Sequence, residues 1–449
     1  MRYGPLPSKV LKRSTSLVLV MSNGMWIAVA VFAIAIALIA WGKVHRAYVG
    51  LASVVILVVA GVLPPYRALD YLDVNVVSLL VGMAVITYYL EKSGLASWVA
   101  ERFLSLSGFK PMRALAAFAI LGSLISAVLD NVSTTLLLAP IAIRLANAFG
   151  VSPVPYVIAV ALGSNLVGAA LMIGDPPSMM VASALDLSFT DFIVFDGRPS
   201  VFFFIMAACP MAALTLLLTA KKYVKDVRSS ADSGLATAKD NAMLAEALAV
   251  FLFVVVLLSV RNAYGIPLWA PPVIGATALL ALRVPVEKSM EALVKGVDWK
   301  TVVFVSSILL MTGGLAETGF IDLVAAKLYE LCGTDAAAAS AVIIWISVLF
   351  SAFIDNIPYF AVMIPMVVKL SEASRMNVYT LMWALLIGGS LGGNCTYIGA
   401  SANAVAVGLL EKKGYRVSLL EFMKMGVPHT VVAVLVGEAL HYLVFIHFG

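Results

Sequence analysis

Apolar residues in this chain come in long continuous blocks, without the alternation of a half-buried strand. Runs of spanning length with almost no charge fall near 25–42, 46–63, 74–90, 153–173, 200–220, 266–282, 301–316 and 376–396. Shorter or less clean runs lie at 247–260 and 427–447. Lipid offers the backbone no hydrogen-bond partner, so continuous apolar runs of this length predict helices that cross a bilayer. Two further stretches, about 112–148 and 336–374, are each broken near the centre by a polar cluster. Each reads as a hairpin with arms of about 17 residues, or roughly 25 Å of helix. That length leaves open whether an arm dips into the membrane or crosses it.

The polar interruptions are related. Asp130-Asn131 recurs as Asp355-Asn356, 225 residues later, and the same offset pairs Asp73 with Asp298, Gly94 with Gly319 and Pro140 with Pro365. It also pairs Gly163 with Gly388, Gly168 with Gly393, and Ile173-Gly174 with Ile398-Gly399. So many glycines, prolines and acids in one register indicate a duplication. Each half predicts five crossings and one hairpin. An odd number of crossings inserts the second copy upside down, the usual plan of alternating-access transporters. The expected fold is therefore an all-α polytopic membrane protein: an inverted repeat with about ten transmembrane helices, two re-entrant hairpins and two broken helices. Its expected parts are a tail at 1–24, a first repeat at 25–220, a linker at 221–242 and a second repeat at 243–449. The first repeat holds scaffold helices within 25–92, hairpin 112–148, broken helix 153–185 and helix 200–220. The second holds hairpin 336–374, broken helix 376–410 and a last helix at 427–447.

Composition agrees and narrows the function. Of 449 residues, 62% are hydrophobic and 12% charged, too little polar surface for a soluble protein of this size. The longest polar stretch, near 221–242, is too short for a catalytic or nucleic-acid-binding domain, and no motif calls for a cofactor. Loops around 43–46, 92–113, 221–239, 283–300 and 412–424 hold nineteen Lys and Arg, whereas the opposite loops hold Arg67, Arg198, Arg261 and Lys327. The first set is expected in the cytoplasm, with the protein in the plasma or inner membrane and the C-terminus outside. The basic residues of the N-terminal tail then fall on the disfavoured side. Cys209, Cys332 and Cys395 have no metal-ligand spacing and read as small packing residues.

Between Arg113 and Arg144 the only charged residue is Asp130, and between Asp335 and Lys369 it is Asp355. A carboxylate within hydrocarbon costs about 3 kcal/mol on insertion scales, so two at matched positions imply a shared task. Asp, Asn, Ser and Thr are good N-caps, so a helical arm is expected to restart just after Asn131. The helix start offers N–H groups for an anion, while the carboxylate, amide and hydroxyl oxygens suit sodium or a proton. Expected ligands are Asp130, Asn131, Ser133, Thr134, Asp355 and Asn356, with sodium placed at Asp130, Asn131, Asp355 and Asn356. The broken helices add Ser164, Asn165, Gly174 and Asp175 in the first copy and Asn394, Thr396, Ser401 and Asn403 in the second. There, Gly174 is expected to end one half-helix, Asp175 to cap the next and Pro176 to open it. Glu438 and His441, three apart on the last span, read as a scaffold hydrogen bond or a proton relay.

Four motifs carry a family resemblance over residues 25 to the C-terminus: Asp130-Asn-Val-Ser-Thr-Thr, Ile173-Gly-Asp-Pro-Pro, Asp355-Asn-Ile-Pro and Gly393-Asn-Cys-Thr-Tyr-Ile-Gly-Ala-Ser-Ala-Asn403. The chain resembles the ion-transporter superfamily of arsenite permeases, D-type sodium/proton antiporters, the melanosomal P protein and the sodium–dicarboxylate symporters. It is most similar to the arsenite-permease and P-protein branch. Dicarboxylate symporters have Ser-Asn-Thr at the tips, and two acidic tips disfavour citrate. The resemblance implies a homodimer with an elevator-type moving domain. The expected activity is gradient-driven transport of a small inorganic solute, foremost arsenite or antimonite efflux coupled to protons or sodium, with sodium/proton exchange second. A passive anion channel or carboxylate symporter of the same fold is a further reading. Cys395 is a remote candidate for a thiophilic solute. An intramembrane aspartyl protease is disfavoured, since Met172 stands where its motif needs glycine.

Overall fold

The computed structural model describes residues 23–106, 110–221, 240–287 and 290–448. Most of the expected tail and linker therefore lies outside the described residues. What is described is helical apart from a two-stranded ribbon, β1 (Val194–Phe195) and β2 (Arg198–Pro199).

The first half runs α1 (Asn23–Trp41), α2 (Arg46–Val59), a short α3 (Pro65–Tyr71), α4 (Val74–Lys92) and α5 (Leu95–Leu106). A hairpin of α6 (Pro111–Ser126) and α7 (Asn131–Ala148) follows, then α8 (Val154–Gly168), α9 (Pro176–Ala184) and α10 (Val201–Ala220). The second half repeats the order: α11 (Asn241–Tyr264), α12 (Ala270–Glu287), α13 (Trp299–Glu317) and α14 (Phe320–Cys332). Its hairpin is α15 (Ala336–Ser351) and α16 (Asn356–Ser374), its broken helix α17 (Val378–Gly392) and α18 (Ser401–Lys412), and its last helix α19 (Leu419–His441). Among the described residues seven helices are long and apolar enough to cross a membrane, and five more are apolar but shorter. α1 and α11 turn large side chains outward, including Trp26, Ile34, Leu252 and Val256, as lipid-facing helices do.

Acidic caps start the matched helices. Asp73 accepts from the N–H groups of Asn75 and Val76 at the head of α4, and Asp298 accepts from Thr301 at the head of α13. Each satisfies donors that a helix start otherwise leaves free. Within each half the first hairpin arm packs on the first part of the broken helix, α6 on α8 and α15 on α17. Both contacts are close enough to require glycine. A Cβ on Gly163 would lie 2.2 Å from the Ala119 carbonyl oxygen, and one on Gly388 would lie 2.3 Å from that of Ile344.

The break in the first helix differs from the sequence expectation. α8 ends at Gly168, not Gly174, and residues 169–175 form an irregular passage before Asp175 caps α9. Gly174 lies within the break because a Cβ there would meet the Gly168 carbonyl oxygen at 2.3 Å. At the first tip α7 begins at Asn131 itself, one residue earlier than expected, since Asp130 takes the cap position. Glu438 and His441 do not pair. Glu438 accepts from the Trp345 indole at 3.0 Å, while the His441 ring lies 2.9 Å from the Thr380 carbonyl oxygen. These are ties between helices, the scaffold alternative.

Replacing Gly163 by Val drives a branched side chain into the α6 backbone and is expected to cost roughly 1–3 kcal/mol. Gly408→Ala, where nothing lies within 4 Å, serves as the neutral control. Thermal melting of the detergent-purified protein checks both.

Candidate functional site

The two hairpin tips and the two helix breaks converge on one cavity of about 480 Å³. Asp130, Asn131 and Ser133 come from the first tip, and Asp355 and Asn356 from the second. Gly174 and Asp175 come from the first break and Asn165 from α8 just before it, while Ser401 opens α18 just after the second. The opposite wall belongs to other helices: Thr87, Tyr88 and Glu91 at the end of α4, Asp298 and Thr301 at the start of α13, and Arg46 at the start of α2. These helix ends adjoin the Lys- and Arg-rich loops. A second cavity, of about 550 Å³, lies against the other ends of α4 and α13, where Tyr71, Asp73, Thr312 and Ala316 line it together with α9 and α16.

At the first tip Asp130 Oδ1 accepts from the N–H groups of Val132 (3.0 Å) and Ser133 (2.9 Å). The helix start is thus filled by the protein's own carboxylate, and the N–H groups proposed for an anion are engaged. Asn131 accepts from Ser126 Oγ at 2.6 Å. Its amide fits because the neighbour is Gly168, where a Cβ would lie 2.2 Å from Asn131 Oδ1. The second copy repeats the device: the Asn356 amide faces Gly393, Ser351 and, with Nδ2 turned inward, the carbonyls of Gly399 (3.2 Å) and Gly389 (3.3 Å). The two Asp-Asn pairs therefore divide their labour. Asp caps the returning arm and faces the cavity, while Asn binds the tip to the break behind it.

Five of the expected ligands do not reach the cavity wall. Thr134 and Ser164 are buried, and the Ser164 hydroxyl donates to the Ala161 carbonyl at 2.9 Å. Thr396 donates to the Ala352 carbonyl and accepts from Gly399 N–H at 3.2 Å, shaping the second break. Asn394 and Asn403 form a buried triad with Asn165, whose Nδ2 donates to both side-chain oxygens at 2.9 Å. These residues are polar because irregular backbone in a membrane needs internal partners; that need produces the same residue types as ion ligation. Cys395 is buried and absent from the wall, so it offers no thiol to a solute there.

Sequence reasoning also missed a residue. Arg46 was counted only as a loop charge, yet its Nη1 lies 3.1 Å from Asp355 Oδ2, and it also donates to Ser401 Oγ and to Thr301 Oγ1 (2.8 Å). The available signal was its position, opening an otherwise charge-free run. Glu91, on the last turn of α4, lies within electrostatic reach of Asp130. The wall as a whole carries five carboxylates (Glu91, Asp130, Asp175, Asp298, Asp355) against Arg46 and Lys295. Among the described residues no cluster of three or more His, Cys, Asp or Glu is arranged to hold a metal ion.

Residues 36–388 match the citrate transporter family, CitMHS. The chain belongs to this family. An uncharacterized transporter of Mycobacterium tuberculosis is 31% identical over 94% of this chain and 99% of its own length. The human P protein is 28% identical over 94% of this chain and 60% of its own length. The YdaH transporter of Alcanivorax borkumensis has the same fold, with a TM-score of 0.54 at 14% identity, covering 87% of this chain and 88% of that one. The chain is thus a membrane transporter of the citrate transporter family within the ion-transporter superfamily. In this family member the acidic wall sits where tips and breaks meet.

Asn165→Ala leaves Asn403 Oδ1 short of a donor in a buried site and Asn394 Oδ1 with only the 3.4 Å bond from Asn403 Nδ2, and is expected to cost roughly 1–3 kcal/mol. Asn165→Asp is expected to be worse, because it places a carboxylate against two acceptors. Melting temperatures of the two variants decide the order.

Proposed function

We propose that the chain is a secondary active transporter in which a proton or sodium ion exchanges at Asp130 and drives a small inorganic solute across the membrane. The observation that carries this reading is the convergence of both tips and both breaks on a single cavity, matched by a second cavity at the opposite ends of the same scaffold helices. Hairpins and breaks that slide along α4 and α13 would exchange one opening for the other, an elevator-type motion. The Lys- and Arg-rich helix ends around the cavity would then lie in the cytoplasm of a plasma or inner membrane, with a homodimer supplying a fixed scaffold.

Chemistry of the wall narrows the solute. With five carboxylates against two basic groups, a polycarboxylate such as citrate meets net repulsion, whereas a neutral oxyacid or a cation does not. Uncharged arsenite or antimonite, exported against a proton or sodium gradient, is the preferred solute. Its hydroxyls would meet Ser133 and Ser401. Sodium/proton exchange is the second reading, favoured by the two carboxylates, Glu91 and Asp130, that line the same cavity. The relatives' family name, citrate transporter, keeps citrate among the substrates to be compared.

Purified protein in liposomes, offered arsenite, sodium and citrate under imposed proton and sodium gradients, is expected to accumulate arsenite only when a gradient is present. Flux indifferent to every gradient would instead favour a passive channel. Asp130→Asn keeps an oxygen able to cap α7 but cannot exchange a proton. It is expected to abolish gradient-driven flux while its melting temperature stays within roughly 2 °C of the parent. Unchanged, normally pH-dependent flux in that variant would remove Asp130 from the coupling role.

A further inference from the structure

The hairpin tips are alike in fold and unlike in charge. Among the described residues Asp130 makes no ion pair, while Asp355 has one, with Arg46. The arginine does not belong to the moving unit. It opens α2, which packs mainly on α13, and its guanidinium is held by α13 on two sides. Nη2 donates to Thr301 Oγ1 at 2.8 Å, and the guanidinium carbon lies 5.0 Å from the centre of the Phe304 ring. Thr301 in turn donates to Asp298 Oδ2 at 2.5 Å. The scaffold therefore presents a fixed positive charge to the second tip.

Asp355 already has its charge balanced in this state. One carboxylate oxygen accepts from Ile357 N–H at 3.3 Å, and the other takes both Arg46 and the Ser401 hydroxyl, the latter at 2.9 Å. At the repeat-matched positions the device is missing: Pro271 corresponds to Arg46 and Val76 to Thr301. The remaining charged groups on the wall are Asp298 and Lys295 beside the α13 start, Glu91 on α4, and Asp130 and Asp175.

We infer that Arg46 is a scaffold-held counter-ion that takes the place of the exchangeable cation at Asp355 in this state and drives that cation off toward the Lys- and Arg-rich side. When the second tip slides away from α2 and α13, Asp355 loses the guanidinium and takes up a monovalent cation from the opposite side. On return, Arg46 displaces it. At the other cavity the repeat relation places Ala316 at the position of Glu91, and the acids lining that cavity are Asp73 and Glu372. This deepens the transport reading and rests on it: Arg46 makes release at Asp355 one-sided.

The test uses full-length protein in detergent with no solute and no gradient, so it reads Arg46 separately from flux. Guanidinium chloride and sodium chloride are titrated to tens of millimolar against choline chloride at equal ionic strength, and melting is followed. Arg46→Ala is expected to be stabilised by guanidinium or sodium, with a rise of roughly 1–3 °C. The parent, Arg46→Lys and the double variant Arg46→Ala/Asp355→Asn are expected to show none. Absence of cation-specific stabilisation in Arg46→Ala, or its persistence in the double variant, would overturn the inference. Should Arg46→Ala fail to fold, the double variant is expected to fold, because the orphaned carboxylate is gone. Failure of both would show that Arg46 serves some end other than Asp355.

Discussion

Low dielectric sets the terms for this fold. Inside a membrane a free helix end and an unpaired carboxylate are both costly, and each hairpin tip joins a helix start to a carboxylate. The chain resolves them against one another. Asp130 and Asp355 stop the first arm and supply an acceptor to the first amides of the second, as Asp175 does at the break before α9. One Asp175 oxygen is left buried with no partner in the protein. The acids that bound helices are therefore also the acids that face the cavity, and its acidic wall is a by-product of ending helices there.

A second requirement follows from the first. Irregular backbone at the breaks must be satisfied from within, and the two copies do this for each other. Asn165, near the end of α8, donates to Asn394 in the second break and to Asn403 near the start of α18, while Asn394 donates back to the Leu162 carbonyl at 3.0 Å. Four short stretches thus become one unit around a shared amide network. The tips join it through Asn131 and Asn356, pressed against glycines that admit no Cβ. The polar bonds of this unit run mostly inward, which is what the proposed motion against α4 and α13 would require.

The architecture was legible because its causes are periodic: charge-free runs give crossings, and a constant offset of Gly, Pro and Asp gives the repeat. The tips were legible because lone charges in apolar runs have few explanations. Sorting ligands from supports was not. Ser164, Thr396, Asn394 and Asn403 are short polar residues beside glycines, which is what both a solute site and a self-satisfying helix break require. Only side-chain direction separates the two. Arg46 was hidden for another reason: its partner is 309 residues away, and a positive charge at a span boundary ordinarily reports orientation. The sequence argument against an anion also shifts, since one of the two acidic tips carries its own counter-charge.

That counter-charge gives the duplicated halves different work. Were both tips bare, the inverted repeat would make the two faces nearly equivalent, and a bound cation would have no preferred exit. Separating a buried arginine from its carboxylate costs about 3–5 kcal/mol when nothing replaces it, less here because the side chains keep 20% and 12% of their exposure. A cation arriving at Asp355 replaces part of that loss, so departure of the tip from Arg46 and arrival of the cation favour one another. On the proposed reverse stroke the arginine would return and the cation would leave. Two copies of one hairpin, made unequal by a single scaffold side chain, would then suffice to couple the proposed conformational change to the face on which an ion is held.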